Sequence, residues 1–252
     1  MFQYNIQRLV NEGYLVVTVG ATYDTLFTVF NDGEMVLQNE AFRERSEGNF
    51  ESLKSLVDIR VKDLSFTLNC LQEWNVSDPH LKGKLDLEKI GVIGHSLGGA
   101  AIFELARNDS RVKAGIILDG SLHLLSFAQQ VKTPFLLVRQ QHASYDEMRE
   151  VWSEKVAKAY SIGQESLFHC LTGYKKFVKV QGADHMSFTD IPVLFSQDQE
   201  SRERGEDLHQ TISELTFFFF NDHLSHTGQS LQKLIEANSH RVYELNDTGS
   251  KI

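Results

Sequence analysis

The residues of this chain with the plainest chemical meaning lie in IGVIGHSLGGAA, residues 90–101. Gly94-His95-Ser96-Leu97-Gly98 matches G-x-S-x-G, the pattern of a serine held on a tight strand-to-helix turn with Oγ clear of the backbone. Such a turn is expected to crowd the positions two before and two after the serine, which are Gly94 and Gly98. The helix that follows aims its free N–H groups at the site, and the Leu97 N–H is placed to receive a developing oxyanion. A dinucleotide-binding turn would need G-x-G-x-x-G, which GVIGHSLGG does not contain.

A serine hydroxyl needs a base, and the base needs an acid to orient it. In strand-turn-helix hydrolases the chain order is serine, then acid, then histidine. Of the ten histidines, His185 fits best. It lies in KFVKVQGADHMSFTD, in a Gly-containing loop just past a strand, where sites form at the carboxyl edge of open α/β sheets. His142 also follows a strand and is a minor rival. For the acid, Asp119 ends the apolar strand AGIILD, where a carboxylate is costly unless paired. Asp146 competes but suits the start of a helix, and Asp184 and Asp190 suit the shaping of the His185 loop.

These groups must be carried by elements that bring strand ends together. Strands are expected at 13–19, 89–94, 112–119, 133–140 and 174–182. Helices are expected at 51–74, from residue 96 onward, at 145–161 and at 207–224. In the first helix Leu53, Leu56, Val57, Val61, Leu64, Leu68 and Leu71 recur at helical spacing. Residues 21–50 read as an irregular excursion, and 189–208 as an ordinary surface connection or a flap over the pocket. Alternating strands and helices imply an α/β fold with a mostly parallel sheet covered on both faces. The domain is expected over 1–226, with 227–252 as a polar, loosely docked tail. The run Phe217–Phe220 covers most of a helix circumference, so burial is favoured over a lipid-facing patch.

Bulk properties narrow the partners. A chain of 252 residues can build one large core, and a net charge of −9 argues against nucleic acid. No apolar run reaches the roughly 18–20 residues that span a bilayer, and the first residues lack a signal-peptide pattern. Cys70 and Cys170 form no metal-ligand or CxxC pattern, so free thiols and a cytoplasmic location are expected. No cofactor or metal is implied, and oligomeric state is left open.

LKGKLDLEKIGVIGHSLGGAA, VKAGIILDGSL and VKVQGADHMSFTD together resemble the platelet-activating-factor acetylhydrolases of the plasma and type II intracellular kind, which are calcium-independent serine lipases of the α/β-hydrolase fold. The acid 23 residues after the serine, the His185-to-Asp190 spacing and the helix bearing Arg60, Asp63 and Leu71 carry the likeness. The resemblance implies Ser96 as nucleophile, Asp119 as acid, His185 as base and the Leu97 N–H as one oxyanion donor. It implies short or oxidised acyl chains on phospholipids as substrates, and transient contact with a membrane surface. It also implies a His-Gly loop supplying a second donor, and three early strands, that this sequence lacks; an unpaired sheet edge is expected there. The alternatives are a carboxylesterase, thioesterase or peptidase of another acyl substrate, and an inactive remnant without the oxyanion loop.

Overall fold

The structure is a computed structural model. It describes residues 2–25, 27–40, 50–125, 127, 129–225, 228 and 230–252. The chain divides into two compact units, one of residues 1–16 and 86–252, the other of residues 17–85.

The larger unit opens with helix α1 (Gln3–Asn11). The smaller unit carries an antiparallel hairpin, β1 (Phe27–Val29) and β2 (Met35–Leu37), and the long helix α2 (Phe50–Ser77). The hairpin falls inside the stretch expected to be irregular. In α2 the expected stripe is the sheltered one: Leu56, Val57 and Leu68 are buried, and Leu53, Val61, Leu64 and Leu71 are half-buried. Arg60 of α2 pairs with Asp24 at 3.6 Å.

The rest of the larger unit follows in chain order. It comprises β3 (Ile90–His95), α3 (Leu97–Asn108), β4 (Val112–Leu118), β5 (Phe135–Arg139), α4 (Tyr145–Val151), α5 (Glu154–Cys170) and β6 (Lys175–Val180). Then come α6 (Ile191–Leu194), α7 (Gln199–Leu224), α8 (Ser230–Ala237) and β7 (Val242–Glu244). The sheet order is β3-β4-β5-β6-β7, parallel except for β7, which runs against β6. Alternate residues of each strand point to opposite faces. Ala114, Ile116, Leu118, Leu136, Val138, Val178 and Val180 share one core with Leu9 of α1, Ile212, Leu215 and Phe219 of α7, and Leu231 of α8. On the opposite face Phe135 meets Phe103 of α3 and Phe177 meets Phe168 of α5. The sheet is therefore covered on both sides, which is why β4 and β5 read as continuous apolar runs. No helix among the described residues is long and apolar enough to cross a membrane.

Several expectations are corrected. GYLVVTV at 13–19 is not a strand: Leu15, Val17 and Val19 are exposed and no described strand pairs with them. β-Branched composition suits a pleated, half-buried surface but cannot replace a partner strand. β3 accordingly forms an edge of its sheet, paired with β4 alone among the described strands. The helix expected over 145–161 is two helices, because Ser153 leaves the helical path and caps α5 by accepting the Val156 N–H. α7 starts at Gln199, capped by Asp198, so most of the second half of the expected flap is helix. The stretch 227–252 is not a loosely docked tail. It supplies α8 and β7, with Leu231, Ile235, Val242 and Leu245 buried. Within the phenylalanine run Phe219 and Phe220 are buried, while Phe217 is half-buried and lies under Arg8 at 4.7 Å.

Candidate active site

The turn between β3 and α3 holds Ser96 at φ +55°, a backbone conformation that L residues with side chains rarely adopt. The turn is tied down from three sides. The Ser96 N–H donates to Leu118 O at 3.1 Å, and its carbonyl accepts from the Gly99 and Ser121 N–H groups, each at 3.0 Å. Gly94 makes the turn sterically possible, since a Cβ there would lie 2.1 Å from Gly98 O. Gly98 is different, and the crowding expected at that position is not found: an added Cβ would enter open space. The second close approach belongs to Gly99, whose Cβ would lie 2.9 Å from Gly120 Cα. We expect Gly94→Ala to disrupt the turn, lowering stability by about 1–3 kcal/mol or more. Gly98→Ala should leave the thermal midpoint within about 2 °C, in keeping with a change of under ~0.5 kcal/mol. Thermal unfolding of both variants checks the contrast.

Asp119 stands one residue past β4 at φ +40°, a second strained position. Its N–H donates to Val138 O at 2.8 Å, which fixes it to the neighbouring strand. His185 opens a short 3₁₀ turn after β6. Asp184 caps that turn, accepting from the N–H groups of Met186 at 2.9 Å and Ser187 at 2.8 Å. Asp190 accepts the Gln3 N–H with both oxygens at 3.0 Å, anchoring the far end of the loop to α1. The two carboxylates thus shape the loop. Asp146 sits in the first turn of α4, as a helix-starting residue would.

The loops bring three side chains together. His185 Nδ1 lies 2.7 Å from Asp119 Oδ2 and His185 Nε2 lies 3.2 Å from Ser96 Oγ. A carboxylate only accepts, so Nδ1 carries the proton and Nε2 presents its lone pair to the serine hydroxyl. The His185 side chain is 37% exposed, open to a reacting molecule, whereas that of Asp119 is 1% exposed. Burial raises the Asp119 pKa, but the Arg139 cation and the bond to His185 outweigh it and hold the carboxyl at about 2. At the head of α3 the Leu97 N–H has no partner among the described residues, leaving it free to bind an anion.

Three neighbours were not anticipated from the sequence. Gln140 Nε2 donates to Asp119 Oδ2 at 3.1 Å, and Arg139 Nη1 pairs with Asp119 Oδ1 at 2.7 Å. The signal for Arg139 was present, as a charge closing the apolar run FLLVR. His95, inside the turn, donates from Nε2 to the His185 carbonyl at 2.9 Å, and the two rings lie 4.5 Å apart. Burial and the neighbouring His185 push His95 down to about 4, so it is neutral near pH 7 and serves as a brace. Among the described residues, the group close enough to share a cation is Glu165, His169 and Asp247, none of which belongs to this site.

Comparison with known proteins identifies the family. Residues 22–198 match the family described as platelet-activating factor acetylhydrolase, isoform II. A platelet-activating factor acetylhydrolase of Canis lupus familiaris is 27% identical over 169 residues, 64% of this chain and 33% of the relative. A probable 1-alkyl-2-acetylglycerophosphocholine esterase of Arthroderma benhamiae is 32% identical over 116 residues, 46% of this chain and 26% of the relative. The matches therefore span about a third or less of these relatives' length. Among solved structures, a ferulic acid esterase from Streptomyces cinnamoneus superposes with a TM-score of 0.66 at 24% identity, covering 89% of this chain and 63% of that one. That likeness speaks for a shared α/β-hydrolase fold.

Proposed function

Because the chain belongs to the platelet-activating factor acetylhydrolase, isoform II, family, we propose that it hydrolyses carboxylic esters through an acyl-enzyme on Ser96. The observation that carries the reading is the unbroken hydrogen-bond chain Ser96–His185–Asp119. Ser96 Oγ attacks the ester carbonyl carbon while His185 Nε2 takes its proton. The negative charge that develops on the carbonyl oxygen is met by the Leu97 N–H, one such donor being worth about 2.7–4 kcal/mol. The imidazolium then protonates the departing alkoxide. Water, deprotonated by the same nitrogen, releases the acid from Ser96. Throughout, Asp119 holds the tautomer and stabilises the imidazolium.

For substrate we propose phospholipid esters with a short or oxidised sn-2 acyl chain. The relatives' names support this choice. Transient docking at a lipid surface goes with it. Met186 in the turn that His185 opens, Leu194 at the end of α6 and Phe195 just past it are exposed large apolar side chains, Phe195 by 75%. A fluorophosphonate probe tests the chemistry: stoichiometric labelling of Ser96 is expected, and a protein left unlabelled at Ser96 defeats the reading. Comparing acetyl, long-acyl and thioester substrates then tests the substrate class.

A further inference from the structure

Asp119 divides its two oxygens. Oδ2 faces His185 and Gln140, and Oδ1 faces Arg139. Arg139 closes β5, and its side chain, like that of Asp119, is 1% exposed. Its other surroundings are soft. Nη2 donates to Met148 Sδ at 3.6 Å, the guanidinium lies over the Tyr160 ring at 5.6 Å, and Nε has no hydrogen-bond partner among the described residues. Nη1 is close to Oδ1 yet misaligned for a hydrogen bond, so the contact is chiefly Coulombic. A buried guanidinium is costly, and among the described residues Asp119 is the counter-charge paired with it.

We propose that Arg139 is a positioning residue of the hydrolytic site: it clamps Oδ1 so that Oδ2 stays ionised and aligned on His185 Nδ1, and thereby sets the pH above which Ser96 is reactive. This rests on the ester-hydrolase reading above. The other charged or titratable groups around the pair do not replace the cation. Lys179 of β6, the register neighbour of Arg139, is paired with Glu147 of α4. Tyr160 of α5 is pushed up by burial and then by Asp119, so it is a neutral phenol near pH 7. His95 is neutral there as well. His185 is the partner of the other oxygen. Removing Arg139 has two effects of one sign. Burial then favours the protonated acid at 119. Where Asp119 remains ionised, its uncompensated charge favours imidazolium over the neutral base. Each depletes the reactive state on the acid side.

The test is the pH dependence of fluorophosphonate labelling at Ser96, with thermal midpoints, for the full chain and Arg139→Met, Arg139→Gln and Arg139→Lys. The acid limb should move up by about half a pH unit or more in the two neutral variants, since the uncompensated Asp119 charge acts on the imidazole beside it. In Arg139→Lys, which keeps the sign of the charge but not the fork, it should lie closer to the parent than in either neutral variant. All three are expected to lower the midpoint. An unmoved limb in folded neutral variants overturns the proposal and leaves Arg139 merely structural. If both neutral variants fail to fold, recovery of a folded protein in Asp119→Asn/Arg139→Met supports the pairing, and no recovery overturns it. Absence of labelling in the parent chain defeats the underlying ester-hydrolase reading, whereas a labelled parent with an unmoved limb defeats this inference alone.

Discussion

Ser96→Ala is expected to lower turnover of a p-nitrophenyl acetate type ester by about 10⁶-fold, the size of loss seen when a serine hydrolase is stripped of its nucleophile. The fold should survive. Alanine keeps the same Cβ in the same strained turn, and what disappears is one 3.2 Å bond from the hydroxyl to His185 Nε2. The backbone bonds that hold the turn, to Leu118 O and from the Gly99 and Ser121 N–H groups, do not involve the side chain. Loss of activity with a thermal midpoint within about 2 °C of the parent is the expected pair of results, since ~0.5 kcal/mol is the scale of a change without core or backbone cost. Turnover within tenfold of the parent means that another group supplies the nucleophile.

Asp119→Asn is expected to cost about 10⁴-fold in kcat, the size of loss when an orienting carboxylate becomes an amide in a serine protease and the wrong tautomer follows. Here the substitution also reaches further. Arg139 Nη1 lies 2.7 Å from Asp119 Oδ1, and neither side chain is exposed by more than 1%. Neutralising the acid leaves a buried cation without its counter-charge, at about 3–5 kcal/mol. For a chain of 252 residues that corresponds to a thermal midpoint lower by roughly 10 °C. Activity and unfolding therefore have to be measured on the same preparations, below the variant's own transition. An Asp119→Asn protein that keeps more than a tenth of parental kcat would remove Asp119 from the mechanism. One that keeps its midpoint would mean the pairing with Arg139 contributes little to stability. The linked pH behaviour has a definite sign. The folded pKa of Asp119 is depressed to about 2, so the stabilisation it brings is present above the ordinary carboxylate range and is lost as pH falls toward 2.

The chemistry of the site was legible because each part of it is local. Glycine two residues before the serine, a strand before it and small residues after it announce a turn that only such a sequence can make. Asp119 and His185 could be picked out because each follows a strand, Asp119 an apolar one, and strand ends are where parallel sheets expose side chains. Chain order removed only His80 and His95, and position after a strand then favoured His185 with one minor rival. What could not be read is what depends on partners distant in sequence. The run 13–19 has strand composition but no strand beside it among the described residues, and an unpaired strand gains nothing from its propensity. The stretch 227–252 is polar on average, yet Leu231, Ile235, Val242 and Leu245 find the sheet and α7, and four buried side chains outweigh a polar composition. Gly98 belongs to the motif but faces open space, which its place in the pattern does not reveal.

The sequence by itself determined which side chains the proposed chemistry calls on and the α/β order that delivers them, because motif, periodicity and strand-end position are properties of neighbouring residues. Only the tertiary structure decided which oxygen of Asp119 faces His185 and that Arg139 holds the other. Those outcomes depend on charges and backbones that meet across strands, where burial and Coulomb energy, not sequence spacing, choose the partner.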